Sequence, residues 1–283
     1  MAQIIDGREV AAYVKQKAAE EVKALNEQNI EVCLAVILVG NDPASTVYVA
    51  NKRKDCDQLG IASKEYALPE ETTMEELLSL IKELNEDKAV NGILCQLPLP
   101  KHLDETKVLE AISPIKDVDA FHPENVGRIM AGKYDFLPCT PAGIMEMLDY
   151  YKIDAQGKNC VVIGRSNIVG KPMAMLMLHA NATVTICHSR TKDLAAVCRG
   201  ADILISAVGR AGFVTEDMVK PGAVVIDVGI NRNKDGKLCG DVDYEKAEKV
   251  ASMITPVPGG VGPMTRAMLM CNTVTAAKKQ NGV

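Results

Sequence analysis

The chain of 283 residues exceeds one average domain, and 47% hydrophobic with 24% charged residues is the make-up of a packed globular protein, so two domains of moderate size are the starting expectation, with one large barrel the alternative. Its 37 acidic against 32 basic residues leave a net charge of −5, which excludes the basic field that nucleic acid or an anionic membrane surface requires. No apolar run approaches bilayer length, the start MAQIIDGREVAAYVKQK lacks a secretory apolar region, and the nine cysteines form no CxxC pair, so a cytoplasmic protein with no membrane span and no metal site is expected.

Asp6, with Glu9 three residues later, predicts a helix over 7–25. The apolar run 31–40 reads as a buried strand, and Asp42 followed by Pro43 predicts a second helix that stops at Gly60. Strand-like runs at 63–68 and 92–97 flank a helix that starts near Thr73. Periodicity fades from 114 to 141, where KDVDAFHPENVGRIMAGKYDFLPCTPAG has the Gly and Pro punctuation of a functional loop region. A helix over 142–151 then opens a second series: strand 159–163, helix 170–180, strand 183–187, helix 193–199, and strands 202–207 and 223–228. Apolar strands alternating with short helices predict a doubly wound, Rossmann-like parallel sheet covered on both faces. A last helix over 264–280 is placed back on the first domain.

The junction VVIGRSNIVGKP (161–172) is a strand, a tight polar turn and a helix start, the place in a doubly wound sheet where a pyrophosphate meets backbone N–H groups. Gly164 and Gly170 do not have GxGxxG spacing, so the turn reads either as a cofactor site around Gly164, Arg165 and Ser166 or as a structural turn. The next strand ends in Cys187-His188-Ser189-Arg190. An acid there would take the ribose 2′-OH of NAD; a hydroxyl at Ser189 and a guanidinium at Arg190, with Arg165 nearby, suit the 2′-phosphate of NADP. Two further strand ends, SAVG (206–209) and DVGIN (227–231), carry glycines where the nicotinamide half could approach backbone.

Elsewhere the residues leave their roles open. Tyr48 and Lys52, four apart on the second helix, share a face and either line a cleft or pack as a half-buried tyrosine with a snorkelling lysine. Gln96, amid apolar residues, is either a satisfied core amide or one that orients a ligand or a catalytic group. Asp117 and Asp119 are spaced for paired carboxylates and equally for loop capping. The turn TPVPGGVGP (255–263) is either a rigid corner or a backbone shelf, with Pro258 and Gly259 against a flat substrate.

Taken together, YVANKRKDCDQLGI (48–61), GILCQLPLP (92–100), KDVDAFHPENVGR (116–128), PCTPAG (138–143), VVIGRSNIVGKP (161–172), DVGIN (227–231) and TPVPGGVGPMT (255–265) closely resemble the bifunctional methylenetetrahydrofolate dehydrogenase/cyclohydrolase family. The resemblance implies a folate-binding catalytic domain over 1–140 plus 264–283, an NADP-binding domain over 141–263, and a homodimer. It implies that Lys52 is the catalytic lysine of the hydrolytic step, that Tyr48 and Gln96 shape its environment, and that Asp119 binds the pterin. It also implies that Gly164, Arg165, Ser166, Ser189 and Ile230 contact NADP. At position 120 the family pattern has glycine and this chain has Ala120; a left-handed backbone there would resist the methyl.

Overall fold

The computed structural model describes residues 1–283, the side chain of Ala44 excepted. After β1 (Gln3–Ile4) comes α1 (Gly7–Asn26), whose entry is fixed by the Asp6 carboxylate taking the Arg8 N–H at 2.8 Å. β2 (Cys33–Val39) is an apolar run buried along nearly its whole length, as a strand covered on both faces must be. α2 (Pro43–Leu59) starts where the Asp42 side chain accepts the Ser45 N–H at 2.8 Å and stops at Gly60, which takes φ 76°. β3 (Ala62–Leu68) leads to α3 (Met74–Glu86), which opens with a reciprocal capping box between Thr73 and Glu76, and then to β4 (Gly92–Cys95).

Two short helices, α4 (Glu105–Ala111) and α5 (Pro123–Met130), precede α6 (Cys139–Tyr150). Then β5 (Asn159–Ile163), α7 (Gly170–His179), β6 (Thr183–Cys187), α8 (Leu194–Arg199), β7 (Ile203–Ser206) and β8 (Val224–Asp227) alternate. A hairpin of β9 (Asn231–Arg232) and β10 (Leu238–Cys239), the single turn α9 (Tyr244–Ala247), β11 (Met253–Ile254) and α10 (Val261–Asn281) complete the chain.

The chain divides into two compact units. One, Tyr13–Cys139 with Arg266–Val283, is built on a parallel sheet of order β3-β2-β4. Leu34 and Val36 of β2 pack with Val22 and Leu25 of α1 and with Leu269, Met270 and Val274 of α10, while Ala35 and Ile37 face Leu77, Ile81 and Val108 from α3 and α4. Each large aliphatic side chain so buried contributes about 1.5–3 kcal/mol. The last helix therefore completes this unit's core, as expected.

The other unit, Met1–Ala12 with Thr140–Thr265, holds a parallel six-stranded sheet of order β1-β11-β8-β7-β5-β6. The order reverses direction after β5, so the C-terminal ends of β5, β6, β7 and β8 present four turns along one edge of the sheet. Two-residue strands β1 and β11 extend the sheet beyond the run of strands expected from pattern; they are too short to show a period of two. The stretch 114–141, expected to be irregular, contains α5. With Gly127 inside and only eight residues, that helix carries little periodic signal, and it is set by His122 and Pro123, the His122 ring accepting the Glu124 N–H at 3.1 Å. No described helix is long and apolar enough to cross a membrane.

Candidate active site

Helix α2 places Tyr48 and Lys52 one turn apart on one face, Tyr48 at 38% exposure and Lys52 half-buried. β4 ends at Cys95, two residues short of the expected strand end. Gln96 is the first residue beyond it, its N–H still bonded to the Ile37 carbonyl at 2.9 Å and the residue itself half-buried. There the Lys52 Nζ donates to Gln96 Oε1 at 2.8 Å. Gln96 Nε2 donates to the Leu97 carbonyl at 2.6 Å, which fixes the amide with its oxygen toward the lysine.

The loop after α4 sorts three charged residues into different tasks. Lys116 is buried and its Nζ donates to the Leu84 and Asp87 carbonyls at 2.9 and 2.7 Å, capping the end of α3. Asp117, also buried, accepts the His122 N–H at 2.8 Å and Asn125 Nδ2 at 2.9 Å, which ties the loop to α5. Asp119 is half-buried, and among the described residues Cys139 Sγ is its one hydrogen-bond donor, at 3.5 Å. Of the two open readings of this carboxylate pair, capping describes Asp117, while Asp119 keeps acceptor capacity. Ala120 takes φ 57° and is fully buried, so the left-handed backbone expected for glycine is present with a methyl group on it. Asn272 of α10 holds the same loop, donating to the Val118 and Leu137 carbonyls, both at 2.8 Å.

Burial is the largest influence on both charges. It pushes the Lys52 amine below the ordinary lysine range; Asp119 opposes this and Arg266 adds to it. Burial raises the Asp119 carboxyl above its usual range, partly offset by Lys52. The Cys139 thiol is held well above its normal range by burial and by Asp119, which keeps it a neutral donor.

Sequence pattern gave no signal for the charges behind Lys52. Asp55, buried one turn further along α2, is ion-paired with Lys15 of α1, and its Oδ2 lies 3.2 Å from Arg266 Nη1 of α10. These partners come from three helices distant in the chain, so no local motif announces them.

In the sheet unit, Gly164 ends β5 at φ +129°, and a Cβ there would run into the Ala207 carbonyl; a Cβ on Gly170 would run into the backbone of Gly164 and Arg165. The turn is thus wound so tightly that only glycines close it, and Arg165 and Ser166 are exposed at its rim. Ser166 Oγ accepts the Val169 and Gly170 N–H groups at 3.2 and 3.3 Å. Ile163 and Cys187 are paired residues, so the Ser189-Arg190 turn, exposed and carrying no carboxylate from His188 to Lys192, leaves the adjacent strand end. Ile230, 53% exposed, follows β8. These six residues line the strand-end edge and fit a dinucleotide with a phosphorylated ribose: a glycine cradle for the pyrophosphate, cations and a hydroxyl for the phosphate. Pro258 is exposed and Gly259 takes φ +112° in a turn of the same unit, beside Arg8.

A carboxylate pair unseen in the sequence organises this edge. Asp241, completely buried, accepts N–H groups of Val208, Gly209 and Arg210 at 2.7, 3.2 and 2.9 Å, Ser206 Oγ at 3.2 Å and Asn231 Nδ2 at 2.9 Å. Asp227 accepts the Gly229, Asp241 and Val242 N–H groups, each at 2.9 Å. Burial is the larger influence here and pushes Asp227 up to about 6.

Residues 5–119 match the catalytic-domain model of tetrahydrofolate dehydrogenase/cyclohydrolase, and residues 138–281 match its NAD(P)-binding-domain model. Over 279 residues the chain is 61% identical to the bifunctional protein FolD of Agathobacter rectalis, covering 99% of this chain and 100% of that one. The crystal structure of the bifunctional FolD dehydrogenase/cyclohydrolase of Campylobacter jejuni superposes with a TM-score of 0.97 at 52% identity, covering 99% of both chains. The Trypanosoma brucei dehydrogenase-cyclohydrolase, solved with NADP and an inhibitor, superposes with a TM-score of 0.95 at 39% identity over 100% of this chain and 99% of that one.

Proposed function

This chain belongs to the tetrahydrofolate dehydrogenase/cyclohydrolase family, and on that premise we propose that it oxidises 5,10-methylenetetrahydrofolate with NADP and hydrolyses the methenyl product to 10-formyltetrahydrofolate. The observation that carries the hydrolytic half is the 2.8 Å bond from Lys52 to Gln96 next to a half-buried, under-used carboxylate. At its reference pKa of about 10.4 a lysine is protonated at neutral pH and cannot take a proton. Burial brings Lys52 down toward the range where the amine is free. A neutral amine then spends one N–H on Gln96 Oε1 and keeps its lone pair for a water molecule. That water attacks the bridge carbon of the methenyl cation and its first proton passes to Lys52, leaving a neutral carbinolamine; the carbon–nitrogen bond to N5 then breaks as Lys52 returns that proton to N5 and the carbinol hydroxyl loses its own to solvent, forming the formyl carbonyl. Tyr48, one turn before Lys52, offers an exposed ring as a stacking wall for the folate. Asp119 suits the adjacent N–H donors of the pterin's aminopyrimidine edge, and Pro258 and Gly259 provide a flat backbone contact.

The oxidative half produces a delocalised cation without loss of a proton, so it asks the chain for orientation; NADP, when bound, supplies the hydride acceptor. Gly164, Arg165 and Ser166 would hold its pyrophosphate, Ser189 and Arg190 its 2′-phosphate, and Ile230 its nicotinamide side. The functional division we propose is a folate-binding catalytic domain over 1–140 plus 264–283 and an NADP-binding domain over 141–263; the compact units differ from it at the start, where β1 pairs with β11 and takes Met1–Ala12 into the sheet unit. The enzyme works in the cytoplasm, and its formylated product serves formyl-transfer steps such as those of purine biosynthesis. It functions as a homodimer: β6 is a sheet edge whose Ile186 is 37% exposed, and Leu178 on α7, the helix packed against β6, is 52% exposed, the kind of unpaired edge that a second copy can cover.

A spectrophotometric assay with 5,10-methylenetetrahydrofolate and either NADP or NAD, following reduced cofactor and methenyl product separately, tests the reading. Reduced NADP with little methenyl accumulation is expected. Accumulation of methenyl product would remove the hydrolytic half, and no reduced cofactor would remove the assignment.

A further inference from the structure

The charged and titratable groups that act on Lys52 are Asp119 from the loop before α5, the thiols of Cys139 at the start of α6 and Cys56 on its own helix, and the guanidinium of Arg266, which α10 brings against Asp55, three residues along α2 from Lys52. The thiols are neutral, since burial pushes Cys56 up to about 12 and Cys139 well above its ordinary range. Beside burial, the fixed charges that act on Lys52 are therefore Asp119, which favours its protonated form, and Arg266, which disfavours it. Arg266 is not a free surface cation. Its Nη1 lies 3.2 Å from Asp55 Oδ2, Asp55 is buried, and the other oxygen of that carboxylate is ion-paired with Lys15. One carboxylate thus holds two cations, and the triad as a whole keeps a net positive charge one helical turn from Lys52. Asp55 Oδ2 is buried without a hydrogen-bond partner among the described residues, so Arg266 is held there by charge and can be exchanged without breaking a hydrogen bond.

We propose that Arg266, anchored on Asp55, is a positioning residue for the hydrolytic step: a fixed positive charge that disfavours a second one at Lys52 and keeps the lysine amine free to accept the proton of the attacking water. This rests on the hydrolytic role of Lys52 proposed above. The need for such a charge is chemical. Asp119 by itself would stabilise the lysine as an ammonium, which is useless as a base. Arg266 opposes it in part, and does so more fully once the N–H donors of a bound pterin engage the Asp119 carboxylate.

The test is the pH profile of methenyl hydrolysis, corrected for the uncatalysed rate, in the full-length enzyme. Arg266→Gln is expected to move the acid limb of kcat/KM up by about one pH unit, which costs about tenfold near neutral pH and is regained in alkali. Arg266→Lys keeps the charge and restores the wild-type profile. A loss of the same size at every pH in Arg266→Gln, or an unmoved limb, would overturn the proposal, because a merely structural side chain changes amplitude without changing the titration. NADP-linked oxidation by the same preparations shows whether the folate site is intact. A wild-type enzyme that oxidises but does not hydrolyse would remove the role of Lys52, and Arg266 with it; hydrolysis that persists with an unmoved limb removes Arg266 alone.

Discussion

Asp241 in the sheet unit and Asp119 in the α/β unit around β2 are carboxylates withdrawn from water, the first wholly and the second in part, and they are wired in opposite ways. Asp241 takes five donors, three of them backbone N–H groups of one turn, which is more than the roughly four lone-pair sites a carboxylate offers. Asp119 takes one thiol and the field of Lys52. A carboxylate with every lone pair used holds backbone in place and has nothing left for a ligand. One left short is costly to bury, and the cost is offset only when something else supplies the donors. The contrast separates the residue that shapes a site from the residue that meets its substrate, without reference to any motif.

The largest expected effect lies on the under-satisfied side. Lys52→Met removes the amine while nearly keeping its volume, and methenyl hydrolysis should fall by about 10² to 10⁴-fold, the usual contribution of a positioned general base. Stopped assays of 10-formyltetrahydrofolate check this, and measurable hydride transfer should survive, because that step sheds no proton. Hydrolysis at the wild-type rate would remove Lys52 from the chemistry and end the comparison.

Next come the two carboxylates themselves. Asp241→Asn sets an NH2 group against backbone N–H donors and strands them in a buried turn, so chemical denaturation should show a loss of about 3 kcal/mol or more. Asp119→Asn strands nothing and should leave stability within about 1 kcal/mol while weakening folate binding. Equal losses of stability for the two variants would mean that donor count does not distinguish scaffold from site in this protein.

Asp227 sharpens the same contrast through pH. It is raised from 3.8 to about 6, so the folded state binds a proton more tightly than the unfolded state. Its contribution is fully present below about pH 4 and is lost as pH rises through about 6. Against Asp227→Asn, whose side chain cannot titrate, the wild type should lose up to about 3 kcal/mol of relative stability across that interval and nothing further above it. Asp117 and Asp119, raised in both proteins, cancel in the difference. Stability curves that run parallel from pH 4 to 7 would show that Asp227 titrates normally.

What could be read from the sequence follows from how locally each feature is encoded. β5 and β6 occupy 159–163 and 183–187 as read, and α2 starts and stops at Asp42-Pro43 and Gly60, because strand period, cap and αL glycine are all written within a few residues. β1 and β11 have two residues each and gain their pairing only from β8 and from one another, so nothing local marks them. Within the candidate site, Tyr48 and Lys52 were legible as a face of one helix. The 2.8 Å bond to Gln96, the Arg266–Asp55 anchor and the Asp241 hub join segments far apart in the chain, and only the fold supplies those partners. The different tasks of Asp117 and Asp119 were likewise invisible, since two residues of identical type differ only in which donors reach them.

The smallest expected effect is at Ala120, which joins the loop of Asp119 to the core. Its φ of 57° costs an L-residue about 1–2 kcal/mol over glycine, and that strain lies one residue from the carboxylate proposed to meet the pterin. Its methyl group is fully buried among the side chains packed on β2, which returns about 0.8 kcal/mol, and glycine would add about 0.5–1 kcal/mol of unfolded-state freedom. The terms nearly cancel, so Ala120→Gly should change stability by less than about 1 kcal/mol and leave the folate KM within about twofold. Ala120→Val should cost about 3 kcal/mol, because a β-branched side chain is worse at positive φ and the site has no spare volume. A large loss in the glycine variant would show that the methyl's packing outweighs the strain; a large gain would show that this loop is held under tension and that the position of Asp119 depends on it.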